Sequence, residues 1–302
     1  MTQMEVYRPS CLGDALRYMW ECAQGDAARP IAGGTDLIVS ARHAAEATAA
    51  GQSPCRRVID ISGLPEISGI RADGDRVCIG AATTHTEIEE SGVIAQAALF
   101  LAEAAATIGS RQIRNRATIG GNIMNASPAA DSLPPLVALS ATATLASVRG
   151  RRAIPVIELV TGPYRTAAAP DELLVDVRFR ALEPNARSVF IKVGRRRALA
   201  ISRLAAAVAA LFDSDAQILD IRISAGAAFP TPCRIGQAEQ VMLGREYSAR
   251  LAEEAGREAA RAMVRATGVR WSTEYKEPVL AAIITRAIRQ CAAKEGVDVW
   301  PE

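Results

Sequence analysis

Two glycine doublets, Ala32-Gly33-Gly34-Thr35-Asp36 and Thr118-Ile119-Gly120-Gly121-Asn122, constrain the fold of this chain more than any other feature. Each doublet removes two successive Cβ atoms, so the backbone can turn sharply and approach another group closely. Ile31-Ala32 reads as the end of a strand, and Leu37-Ile38-Val39 with Ala41 reads as the start of a helix. A strand–glycine–helix passage presents successive N–H groups and a helix N-terminus, a donor set suited to a pyrophosphate. Thr35 adds a hydroxyl. Alone, a doublet of this kind is more often a plain turn, and neither doublet belongs to a Gly-x-Gly-x-x-Gly or Walker-type phosphate loop. Two such loops in one chain, however, can hold an extended ligand from both sides.

The 302 residues suffice for about two or three domains. In the first unit, over residues 1–57, Leu12, Ala15, Leu16, Met19 and Ala23 recur at helical spacing ahead of the first doublet. A second unit is expected over 58–179, opening on the strand-like Val58-Ile59-Asp60-Ile61. It continues with alternating Val77, Ile79 and Ala81, a capping-box pattern at Thr84-x-x-Glu87, and an apolar helix from Leu99 to Ala106. From Ile108 to Asp131 the chain is too polar and glycine-rich for a helix and reads as a long functional loop. Asp131 either accepts hydrogen bonds from a sugar hydroxyl or caps a short helix over Ser132–Leu139, with Ser127 as another cap. Leu145–Val148 and Ala153–Val156 read as a hairpin. The third unit, 180–302, is expected to hold antiparallel strands at Val189–Val193, Leu199–Leu211 and Ile218–Ala225, the Leu204–Leu211 run being ambiguous between strand and helix, and helices over Gln237–Leu243, Ser248–Ala266 and Lys276–Ala293.

A net charge of +2 gives no reason to expect nucleic acid as a partner. No apolar run approaches the roughly 18 residues of a membrane span, and the N-terminal residues carry no signal pattern, so a cytoplasmic protein is expected. The six cysteines (Cys11, Cys22, Cys55, Cys78, Cys233 and Cys291) show no Cys-x-x-Cys spacing. They read as free thiols, and no metal site is expected in this chain. His43 and His85 read as surface or hydrogen-bonding residues. No nucleophile–base pair or acid/base carboxylate pair stands out.

Ile31-Ala-Gly-Gly-Thr-Asp-Leu-Ile38, the Ile108–Asp131 segment with Ile113-Arg-Asn and Thr118-Ile-Gly-Gly-Asn, and Asp171-Glu-Leu-Leu174 together resemble the FAD-binding medium subunit of molybdenum hydroxylases, the xanthine dehydrogenase and carbon monoxide dehydrogenase family. The resemblance runs from about residue 4 to about residue 290. It implies an α+β fold: two subdomains clasping FAD, as in vanillyl-alcohol oxidase-like (PCMH-type) flavoproteins, then a C-terminal domain with a three-stranded antiparallel sheet and a helical bundle. By position, Ile31, Ala32, Gly33, Gly34, Thr35, Asp36 and Leu37 would hold the pyrophosphate. Ile108 would pack near the flavin, and Thr118, Ile119, Gly120, Gly121 and Asn122 would contact the phosphate or ribityl side. Asp131 would bind a sugar or ribityl hydroxyl, Leu174 would give a backbone or packing contact, and Lys192, otherwise an ordinary strand lysine, would lie near the isoalloxazine ring. Glu103 and Arg111 are candidates for structuring or interface roles, as is Arg114. Arg114 and Arg116 are also candidates to steady the polar loop or the anionic cofactor.

The resemblance implies an electron-transfer oxidoreductase subunit in a heterotrimer. Molybdenum cofactor would lie in a large subunit and two 2Fe–2S clusters in a small one. This FAD would pass electrons to NAD+ or another acceptor, in a dimer of heterotrimers. A non-catalytic assembly or binding protein, or a self-sufficient FAD oxidoreductase, are the alternatives. In xanthine-type enzymes an acidic residue precedes the Ile that matches Ile201; here the stretch is Gly194-Arg-Arg-Arg-Ala-Leu-Ala-Ile-Ser202, so a purine substrate is not implied. Asn122 to Asp131 lacks the cysteine-bearing insertion of the 4-hydroxybenzoyl-CoA reductase branch, so no 4Fe–4S cluster is expected.

Overall fold

The first lobe is a small parallel sheet with crossover helices. In the computed structural model, which describes residues 5–46, 57–196 and 199–293, it is built from β1 (Glu5–Tyr7), α1 (Leu12–Ala23), β2 (Arg29–Ile31), α2 (Leu37–Glu46) and β3 (Arg57–Asp60). Leu12, Ala15, Met19 and Cys22 of α1 are buried, one helical face at i, i+3/i+4 spacing. β3 lies between β1 and β2 and is parallel to both, with Val6 opposite Val58 and Ile31 opposite Asp60. The strand expected to open the second unit therefore completes the first, and a limit at residue 57 falls one strand early. Parallel pairing across a crossover joins segments distant in sequence, which a strand's own residues do not reveal. Cys55 lies outside the described residues.

The second lobe is a five-stranded antiparallel sheet. Its first part runs β4 (Ile70–Asp73), β5 (Arg76–Gly80), α3 (His85–Glu90), α4 (Gly92–Ala106), α5 (Arg111–Arg114), α6 (Ile119–Asn125) and α7 (Leu133–Ala138). Then follow β6 (Thr142–Ser147), β7 (Gly150–Pro155), α8 (Val156–Leu159), β8 (Val160–Gly162), β9 (Arg165–Thr166) and β10 (Leu173–Arg180). The sheet order is β4-β5-β10-β6-β7, while β8 and β9 form a separate two-stranded ribbon. The capping box is present: Thr84 Oγ1 accepts from the Glu87 amide, and the Glu87 carboxylate accepts from the Thr84 amide at 2.7 Å. The Ile108–Asp131 stretch is not one loop, because it contains α5 and α6. Ser110 and Thr118 cap these helices by accepting from the amides of Ile113 and Gly121. Caps and burial of Ile119 and Ile123 outweigh the poor helix propensity of the glycines.

In the C-terminal domain β11 (Arg187–Val193), β12 (Leu204–Phe212) and β13 (Ile218–Gly226) form an antiparallel sheet covered by α9 (Gly236–Met242), α10 (Ala249–Thr267) and α11 (Thr273–Ala292). The ambiguous Leu204–Leu211 run is thus the central strand. Leu204, Ala206, Val208 and Ala210 join the core beneath the helices, while Ala205, Ala207 and Ala209 join the core of the second lobe. Burial on both faces erases the period-2 pattern that marks a half-exposed strand. The five-stranded sheet is shared in the same way: Ala146, Leu173 and Val175 pack with α1 in the first lobe's core, and Leu145, Leu174 and Val177 pack in the second.

At Gly256, α10 lies directly against the backbone of α11. A Cβ there would meet Thr285 Oγ1 and, at 2.5 Å, the carbonyl oxygen of Ala281. Ala is the better helix former by about 1 kcal/mol, but a backbone carbonyl cannot step aside as a side chain can. Gly256→Ala is expected to lower stability by about 1–3 kcal/mol, read as a shift in the urea midpoint without a change in m-value.

Candidate functional site

The first doublet is held against the second lobe. A Cβ on Gly33 would overlap the carbonyl of Arg116, with Ala117 Cα at 2.8 Å, so glycine is required here for backbone-to-backbone approach. Gly34 sits at φ +73°, in the left-handed region. Among the described residues no hydrogen-bond acceptor meets the amides of Gly33, Gly34, Thr35 or Asp36; the first bonds of α2 run from Ile38 N–H to Gly34 O and from Ser40 N–H to Asp36 O. The loop therefore presents a run of free donors at the start of a ten-residue helix. Arg116 is exposed beside it and makes no ion pair among the described residues.

The second doublet is built differently. Ile119 N–H donates to Thr83 O, Gly120 N–H to Ala81 O, Gly121 N–H to Thr118 Oγ1 at 3.1 Å and Asn122 N–H to Thr118 O. Its amides are already satisfied within the protein and do not form the donor row that the doublet suggested. Gly120 is glycine for another reason: a Cβ would come within 2.6 Å of both Ala81 Cβ and Ala81 O. What this loop leaves open is the exposed backbone of Gly121 and the amide nitrogen of Asn122, whose Oδ1 accepts from Ser132 Oγ at 2.6 Å.

Asp131 does not cap α7, whose N-cap is Ser132 with no side-chain cap bond. Its Oδ2 meets Lys192 Nζ at 2.6 Å, and its Oδ1 accepts from Ser202 Oγ. Lys192 also donates to Thr107 O at 2.9 Å. The two side chains are 12% (Lys192) and 6% (Asp131) exposed, so this is a buried pair tying β11 to the second lobe. Burial pushes the Asp131 carboxyl above its ordinary range, against the pull of Lys192 and Ser202. Two of the three ammonium protons are engaged, which leaves one for a ligand.

These contacts join the expected residues into one seam. From Gly33 it passes through Arg116–Ala117 to Thr118–Asn122, then through Ser132 to Asp131, Lys192 and Thr107 beside Ile108. Leu174 is buried in β10, and it joins through its neighbour: Val175 O accepts from Ala81 N–H, and Ala81 O accepts from Gly120 N–H. Arg114 is paired with Glu89 at 2.7 Å, and Arg111 with Glu90 at 2.5 Å. Glu103 accepts from the Phe190 amide at 2.8 Å, which anchors α4 to β11. His85 is not at the surface: it is fully buried, and neither ring nitrogen has a partner among the described residues. Burial, then the nearby Arg114, lower its pKa to about 4. Ser202 and Thr107 were not foreseen, since nothing in their local sequence marks them. Among the described residues there is no His/Cys/Asp/Glu group able to hold a metal, and no helix long and apolar enough to cross a membrane.

A glycine loop of free amides at a helix start, joined to a buried Asp–Lys pair between lobes, suits an extended anionic cofactor. The chain belongs to the family described as the FAD binding domain in molybdopterin dehydrogenase, matched over residues 2–179, and also carries a CO dehydrogenase flavoprotein C-terminal domain over 189–291. It is 30% identical over 96% of its length to a putative xanthine dehydrogenase FAD-binding subunit of Escherichia coli (strain K12), 96% of which is covered. It is 32% identical to the nicotine 6-hydroxylase medium subunit of Paenarthrobacter nicotinovorans, covering 78% of this chain and 82% of that one. Among solved structures it resembles a chain of the carbon monoxide dehydrogenase of Hydrogenophaga pseudoflava with a TM-score of 0.83 at 28% identity, covering 96% of this chain and 97% of that chain. The protein is thus an FAD-binding oxidoreductase subunit with the two-lobed flavin domain and C-terminal sheet-and-helix domain of that family.

Two measurements probe the seam. Asp131→Leu or Lys192→Met alone leaves a buried charge without its partner and is expected to cost about 3–5 kcal/mol, whereas the double variant should recover most of that loss in a denaturation cycle. For His85, the folded pKa lies below the ordinary 6.5, so its contribution is present in full above pH 6.5 and is lost as pH falls toward about 4. Comparing urea midpoints at pH 7 and pH 4, His85→Leu should lose less stability than the parent, by about 3 kcal/mol.

Proposed function

We propose that this chain is the electron-transfer medium subunit of a heterotrimeric molybdenum hydroxylase, receiving electrons from 2Fe–2S clusters in a small subunit and passing them to NAD+ or another acceptor. A large subunit would carry the molybdenum cofactor and oxidise the organic substrate, the assembly being a dimer of heterotrimers in the cytoplasm. The observation that carries this reading is the seam itself, free amides at one end and a buried lysine with a spare donor at the other. Several relatives are named as medium subunits or chains, of nicotine 6-hydroxylase and of glyceraldehyde and carbon monoxide dehydrogenases, which supports the assembly.

In this reading the amides of Gly33, Gly34, Thr35 and Asp36, with flanking Ile31, Ala32 and Leu37, hold the pyrophosphate, and Arg116 offsets its charge. Thr118–Asn122 lines the ribityl side through the Gly121 backbone and the Asn122 amide. Asp131 and Thr107 hold Lys192 in place, and the third N–H of Lys192 would be the donor offered to the flavin, with Ile108 and Leu174 giving packing or backbone contacts. FAD, when bound, supplies the exchange between single-electron centres and a two-electron acceptor. The protein binds, orients and screens it.

The purified chain supplied with FAD should retain the cofactor through gel filtration and show the two visible flavin bands; a colourless protein would overturn the reading. Arg116→Glu places a like charge beside the pyrophosphate loop and should weaken FAD retention at least ten-fold without lowering the melting temperature of the apoprotein.

A further inference from the structure

The segment 110–117, which carries α5, is held to the protein by polar ties and not by a core. No residue of α5 is buried, and Arg111, Gln112, Ile113, Asn115 and Arg116 are exposed. The ties run to α3 and its N-cap. Thr118 forms an antiparallel bridge with Thr84, and Ala117 O accepts from the His85 amide at 3.0 Å. Thr86 Oγ1 donates to Asn115 Oδ1 at 2.7 Å, and Arg114 and Arg111 pair with Glu89 and Glu90. The segment is therefore a strap seated on α3. It also belongs to the seam: Arg114 donates to Ile108 O at 3.4 Å, and Arg116 and Ala117 are the backbone against which Gly33 lies.

His85 is fully buried where the strap meets α3, and among the described residues neither ring nitrogen has a partner. Arg114, on the strap, is the charge that acts on the ring. The carboxylates around it are engaged elsewhere. Glu87 accepts from the Thr84 amide, Glu89 and Glu90 hold the two arginines, and Glu103, the one ionisable residue of α4, accepts from the Phe190 amide. Arg116, the remaining charge on the strap, is exposed. An imidazolium here would be buried without a counter-ion and beside a guanidinium, which is costly. Lifting the strap relieves both faults, since it breaks polar ties and opens no apolar core. We propose that His85 is a positioning residue for the cofactor: its neutral ring keeps the strap seated, and its protonation lifts the strap and releases FAD. The inference rests on the FAD reading only for the identity of the ligand. Because binding linkage is reciprocal, bound FAD in turn keeps His85 neutral.

Burial, then Arg114, lower the His85 pKa to about 4, so the grip is whole above pH 6.5 and is lost as pH falls toward about 4. The full chain loaded with FAD is equilibrated at pH 7 and at pH 4.5, and free flavin is measured after ultrafiltration. Acidification should weaken FAD at least ten-fold more in the parent than in His85→Gln or His85→Leu, neither of which can take up the proton. Loss common to all three belongs to Asp131, whose carboxyl is also raised. Equal loss in all three overturns the inference. A second measurement needs no flavin: hydrogen-exchange protection of the His85 amide should fall at least ten-fold over the same range in the parent and hold in the variants. If both variants fail to fold, the parent decides, because the His85 ring, one of two histidines, must titrate at the pH where that protection is lost. Protection lost on acidification in a chain that never holds flavin refutes the FAD reading and leaves the strap standing. Unchanged protection in a chain that holds flavin overturns the strap and leaves the FAD reading standing.

Discussion

The buried pair between Asp131 and Lys192 is the interaction on which the arrangement of the site depends. A carboxylate and an ammonium 2.6 Å apart and nearly free of solvent are tolerated only where further hydrogen bonds satisfy both ends. Here Ser202 and the Thr107 carbonyl supply them. The four groups come from the segment before α7, from β11, from the loop before β12 and from the end of α4. One polar cluster therefore fixes the C-terminal sheet relative to the lobe that carries the second glycine doublet. Such a cluster adds little net stability over an apolar one of the same shape, but it permits few alternative registers, and that is its use between two lobes.

Apolar packing sets the coarser geometry through shared walls. The sheet of the second lobe gives Ala146, Leu173 and Val175 to the first core and Leu145, Leu174 and Val177 to its own. β12 gives alternate residues to the second and third cores. A strand buried on both faces has no solvent side, and small side chains let both layers approach it closely, which accounts for the alanines of β12. The lobes are not beads on a string. A displacement of one wall is felt in two cores, because close-packed interiors transmit strain.

Much of this was legible locally. α1, the capping box at Thr84 and Glu87, the β6–β7 hairpin and the C-terminal helices each announce themselves through periodicity or a cap within a few residues. The misreadings share a physical cause. β3 was assigned to the wrong lobe because its partners lie across crossovers. α5 and α6 read as loop because propensity does not hold them: α5 rests on its Ser110 cap, and α6 on its Thr118 cap and the burial of Ile119 and Ile123. Asp131 was offered a nearby helix to cap, whereas its partner Lys192 is 61 residues away. His85 looked polar and exposed because its burial is imposed from outside its own segment. Short-range rules describe what a segment can do alone; the site is made of what distant segments do together.

The two glycine doublets look alike in sequence and have different physical reasons. Gly33 is needed so that one backbone can lie against Arg116 and Ala117, and the neighbouring amides are left without protein acceptors. Gly120 is needed so that α6 can start against Ala81, and the amides of residues 119–122 are consumed by Thr83, Ala81 and Thr118. A ligand can be gripped by the first through backbone donors, but can meet the second only through the exposed Gly121 backbone and the Asn122 side chain. In the proposed reading the grip is asymmetric: one side would supply the charge complement of an anion, and the other shape and a single amide. Counting glycines identifies both loops; only the destinations of their N–H groups tell the two sides apart.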